Sequence, residues 1–74
     1  MNTVDEVDFL DQKSGCAAFM HLRETKNGSM SIGFDIVGAD AKIVAQLEVT
    51  VSLSDARRLG ERLLSGVDDI ASDL

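Results

Sequence analysis

The stretch Ile43–Leu64, IVAQLEVTVSLSDARRLGERLL, changes its period part-way along and so decides the fold. Ile43, Ala45, Leu47, Val49 and Val51 alternate with Val44, Gln46, Glu48, Thr50 and Ser52. A period of two is that of a strand with one buried face. At Ser52 the pattern becomes helical. Ser52-Leu53-Ser54-Asp55 fits a capping box, and Asp55 suits the positive end of a helix dipole. Ala56, Leu59, Leu63 and Leu64 then form an apolar stripe. Ser65-Gly66 could end it. The spacing nevertheless continues through Ala56, Gly60, Leu63, Val67, Ile70 and Leu74, so the helix can equally run to the end. An internal glycine costs about 1 kcal/mol, which burial of the stripe could offset.

Working upstream, Met30, Ile32, Phe34 and Ile36 alternate with Ser31, Gly33 and Asp35, and Gly38-Ala39-Asp40 marks a turn. Lys26-Asn27-Gly28 marks a hairpin. A two-residue Asn27-Gly28 turn would set Met20 opposite Asp35 and Leu22 opposite Gly33, mixing apolar and polar faces. A loop of Lys26-Asn27-Gly28, with Gly28 left-handed, pairs Leu22 with Ile32, Met20 with Phe34 and Ala18 with Ile36. A slip of one residue flips every side chain, so the second register is expected. Residues 3–11 read two ways. Thr3-Val4-Asp5-Glu6 could cap a short helix bearing Val4, Val7 and Leu10. Val7-Asp8-Phe9 could instead be an edge strand that turns at Gln12-Lys13-Ser14-Gly15. The strand is favoured because its path is short and it lengthens the sheet.

The fold expected is α+β: a small antiparallel sheet, a three- to four-stranded meander, packed against one C-terminal α-helix. Residues 1–74 make one domain. It comprises an acidic N-terminal segment (1–14), antiparallel strands (15–52) and the helix (53–74). A core this small supplies only about 3–5 kcal/mol of net stability. Cys16 is the single cysteine, so no internal disulfide can add to it. Cys16 and His21 are the only soft metal ligands, too few for structural zinc. Good packing or self-association must supply the rest. Leu63 is expected in the core. The first six residues have neither a basic start nor an apolar run, so no signal peptide is read. The longest apolar run, Cys16 to Met20, cannot span a membrane. A cytoplasmic protein is expected.

The net charge of −6 is unevenly placed. Residues 1–12 carry −4, residues 63–74 carry −3, and the middle is near neutral at +1. Acidic ends favour solubility or a basic partner, and direct nucleic-acid binding is disfavoured because phosphates would be repelled. No chemistry is legible. The glycines match no phosphate cradle. Cys16 and His21 are five apart, which in a strand puts them on opposite faces, so they form no dyad unless a bulge intervenes. The acidic clusters match no calcium loop. No catalytic residue, cofactor or metal site is assigned.

What remains is surface. If Met20, Leu22, Phe34 and Ile36 face the helix, Phe19 faces outward with Ala17, Val37 and Val44. Unless the N-terminal segment folds over it, with Phe9 or Val7 covering Phe19, this patch is available to a partner. Arg57, Arg58 and Arg62 form either a solvated face pairing with Glu61, Asp55 and Asp69 or a small basic patch. The function expected is a small non-enzymatic module that binds a protein surface through Phe19, Val37, Val44, Arg57, Arg58 and Arg62 or through the helical stripe. It would act as a homodimer, or as an inhibitor of a host defence protein carried by a phage or mobile element. The alternatives are a nucleic-acid-related regulator and a structural accessory subunit of an enzyme complex.

Overall fold

The computed structural model describes residues 3–74; Met1 and Asn2, the first residues of the acidic segment, lie outside the described residues. Four strands, β1 (Thr3–Leu10), β2 (Ala17–Glu24), β3 (Ser29–Val37) and β4 (Ile43–Ser52), precede one helix, α1 (Leu53–Ser72). The strands pair antiparallel in the order β1-β2-β3-β4, a meander in which every neighbour in space is a neighbour in sequence. The class is α+β, as the period change predicts.

The β2–β3 hairpin has the three-residue loop. Leu22 pairs with Ile32, Met20 with Phe34 and Ala18 with Ile36. Gly28 has φ of 68°, a left-handed conformation that costs glycine least. The Thr25 hydroxyl organises this loop, accepting from the backbone N–H of Ser29 at 3.2 Å and of Asn27 at 3.4 Å. Residues 3–10 form the edge strand rather than the short helix. β1 turns into β2 where the Asp11 carboxylate accepts from the N–H groups of Lys13 and Ser14, an Asx-type turn. Between β3 and β4 the register shifts at Ile36/Val37, and Ala41 takes φ of 64°.

Pairing sorts the side chains into two unlike faces. The inner face carries Val7 and Phe9, then Ala18, Met20 and Leu22, then Met30, Ile32, Phe34 and Ile36, then Ala45, Leu47, Val49 and Val51. The outer face carries Glu6, Asp8, Phe19, His21, Arg23, Ser31, Asp35, Gln46, Glu48 and Thr50.

α1 runs unbroken through Gly66. Ser52 is its N-cap, and the Asp55 N–H donates to its side-chain oxygen at 3.0 Å. One expectation is corrected here: the helix does not lie on the sheet. None of its residues is buried; Leu63, expected in the core, is 71% exposed and Ile70 is 68% exposed. The reason is local. β4 ends at Ser52 and α1 begins at Leu53, so no residue is left to make the turn that would fold the helix back. Strand–helix connections in compact units use about 2–6 residues. α1 therefore touches the sheet only at β3 and β4. The radius of gyration is 14.3 Å, against about 11 Å for a compact chain of this length. Among the described residues Ala18 is the only buried hydrophobe.

Candidate interaction surfaces

The first surface is the inner face together with the helical stripe. A sheet face bearing Phe, Ile, Leu, Val and Met across all four strands normally meets a second layer about 10 Å away. Here it meets none. Leu47 is 61% exposed, and Val7, Phe9 and Val49 are also exposed. On α1, successive residues turn by about 100°, which gathers Ala56, Leu59, Leu63, Val67 and Ile70 on one side, with Gly60 among them. Leu59, Leu63, Leu64, Val67 and Ile70 are all exposed. At the elbow where β4 becomes α1, a crevice is lined by Val51, Asp55, Arg58, Leu59 and Arg62.

The second surface is the end of the outer face that holds the expected patch. Ala17 pairs with Val37, and Leu10 of β1 pairs with Ala17. Val44 sits beside them; a Cβ on Gly38 would come within 3.3 Å of its Cγ1. Phe19 lies one step along, 37% exposed, with Asp8 opposite it on β1 and Asp35 opposite it on β3. The structure thus brings Phe19, Val37 and Val44 to one face and adds Leu10, which sequence reading did not include. The N-terminal segment does not cover Phe19. It pairs beside β2, and Val7 and Phe9 point to the opposite face.

The three arginines are not brought together. Arg58 and Arg62 share a flank of α1, where Arg58 Nη2 pairs with Asp55 Oδ1 at 3.1 Å in full view of solvent. Arg57 is about 100° around the helix from Arg58. Such exposed pairs contribute little stability.

The centre of the outer face holds a polar network that sequence reading missed. His21 Nε2 lies 3.1 Å from Asp35 Oδ2, and Gln46 Nε2 donates to Asp35 Oδ1 at 3.0 Å. His21 Nδ1 stands 3.5 Å from Glu6 Oε1 without a hydrogen bond. The Ser31 hydroxyl donates to Glu48 Oε1 at 2.8 Å. Gly33, opposite His21, leaves a shallow dip ringed by these groups. Asp35 is held below the usual aspartate range, first by the Gln46 amide and then by the His21 hydrogen bond. The signal was available: His21 and Asp35 share the outer face in the three-residue-loop register. Asp11 is also lowered, chiefly by the Ser14 hydroxyl.

Cys16 is free and precedes β2, and His21 belongs to the network described. Among the described residues no group of three His, Cys, Asp or Glu side chains is arranged to hold a metal ion. No helix among them is long and apolar enough to cross a membrane. No protein-family model, curated protein or solved structure matches the chain.

Proposed function

We propose that this chain is a non-enzymatic protein-binding module that acts by occupying a protein surface. The observation that carries the reading is the amount of apolar side chain the fold leaves uncovered on two separate surfaces. Large contiguous apolar patches on a folded protein mark places where another molecule sits. The outer-face patch of Leu10, Phe19, Val37 and Val44 is the surface offered to a partner. Phe19 supplies an aromatic anchor of the kind that dominates binding energy. Asp8 and Asp35 flank it, so the complementary surface is an apolar pocket with a lysine or arginine rim. The excess of acid over base, −6, favours the same basic partner and opposes nucleic acid. A cytoplasmic inhibitor of a host protein, carried by a phage or mobile element, is the role this proposal favours.

The test is capture of partners from a lysate of the native source on immobilised chain and on Phe19→Asp. Circular dichroism first establishes that the variant keeps its strands and helix. Partners held by the native chain should be lost from the variant. Equal capture by both would remove the outer patch from the proposal.

A further inference from the structure

We propose that the occupant of the inner face is a second copy of this chain, and that the two copies exchange helices, each α1 lying across the other's sheet. This deepens the protein-binding reading at the inner face only; the outer patch stands or falls separately.

Three observations converge on it. The first is area. The chain exposes 5978 Å² at a mass of 7.9 kDa, whereas a folded monomer of that mass exposes about 4,400 Å². The excess is roughly 1,500 Å² per chain, so roughly 3,000 Å² for a pair, which falls in the range of obligate homodimers. The second is shape. The 20 residues of α1 span about 30 Å. Strands of 8–10 residues span about 26–33 Å. The stripe and the face it would cover are therefore matched in length. The third is connectivity. The direct passage from Ser52 to Leu53 denies the sheet its own helix, and the helix of a second chain would supply the missing layer. An element withheld from its own chain and supplied by an identical one is the logic of a domain swap, and a two-fold axis satisfies both copies at once.

Two measurements on the native chain test this. Light scattering over a concentration series should give twice the chain mass of 7.9 kDa; the single-chain mass at every concentration would overturn the proposal. In an equal mixture of isotope-labelled and unlabelled chains, filtered NMR experiments should connect the methyl groups of Leu63, Val67 and Ile70 in one copy to Phe34 and Leu47 in the other. A dimer lacking those connections would overturn the helix exchange. A third test lengthens the hinge. Inserting Gly-Asn-Gly-Gly-Ser between Ser52 and Leu53 keeps a serine at the N-cap position and lets α1 reach its own sheet, and the native mass should halve with helix content unchanged. A dimer that survives the insertion would likewise overturn the exchange. None of these readouts depends on Phe19, so a failed capture experiment and a failed dimer are told apart.

Discussion

At the scale of single residues, two positions hold conformations or charges that ordinary chemistry would not choose. Ala41 sits at φ of 64°, where a Cβ crowds the backbone, at a cost of about 1–2 kcal/mol. Ala41→Gly removes that crowding but loosens the unfolded chain, so a net gain of about 0.5–1 kcal/mol is expected in urea denaturation. A loss would mean that the turn is not left-handed at this residue. Asp35 keeps its proton less readily than a free aspartate because Gln46 and His21 hydrogen-bond its carboxylate. Gln46→Ala should move its titration up toward the ordinary range, read from the side-chain carboxyl carbon by NMR. An unmoved titration would show that Gln46 does not donate in solution. A carboxylate with a lowered folded pKa stabilises the fold fully above its unfolded value of about 3.9. That contribution drains as the pH falls through the folded value, so the stability that Asp35 and Asp11 add is present in full at neutrality and lost in acid. Sequence alone showed the turn at Gly38-Ala39-Asp40 but not which residue turns left-handed. The residue that does so is Ala41, just past those three.

At the scale of elements, what is legible in sequence is whatever one element decides alone. Alternation fixes which face of β3 and β4 is apolar. Face matching fixes the three-residue hairpin loop, because the competing register sets Met20 against Asp35. The capping serine marks the start of α1. The docking of the helix was not legible from its stripe. A row of Leu59, Leu63, Val67 and Ile70 says that something covers it, and is silent on whether that surface belongs to the same chain. The information was in the junction instead: Val51 ends a strand pattern and Leu53 opens a helical one, with only Ser52 between. The patch at Phe19 was read correctly in direction, but Leu10 was missed because β1 had no assigned register. Two glycines on α1 make the distinction measurable. In the chain by itself nothing lies within 4 Å of a Cβ built on Gly60 or on Gly66. Each change to alanine should then stabilise by about 1 kcal/mol. Gly60 has Ala56, Leu63 and Leu64 as its helical neighbours and lies inside the stripe. Gly66 has Arg62 and Asp69 beside it and lies at the margin. Against a covering sheet, Gly60→Ala loses its gain to crowding while Gly66→Ala keeps it. Equal gains in thermal melts would mean that the stripe is covered by nothing.

At the scale of the whole molecule, the fold is an open plate of 37 × 36 × 15 Å whose layers are never closed by the chain itself. Folding and association should therefore be one transition. The melting temperature is expected to rise with protein concentration, as mass action requires when only the assembled state is stable. A midpoint constant over a hundredfold range of concentration would show that one chain is stable alone. The plate also has two edges, and they are chemically unlike. β1 presents Asp5, Glu6 and Asp8 along its length, whereas β4, ten residues long, carries Glu48 as its only charge. Edge strands with unpaired backbone groups are templates for further pairing. A fibril would have to grow by laying the β1 of one molecule against the β4 of the next, an endless head-to-tail ladder. Each rung of that ladder would carry three carboxylates into the growing seam, so the acid on β1 acts as a stop: it leaves the molecule free to close on itself and bars it from polymerising.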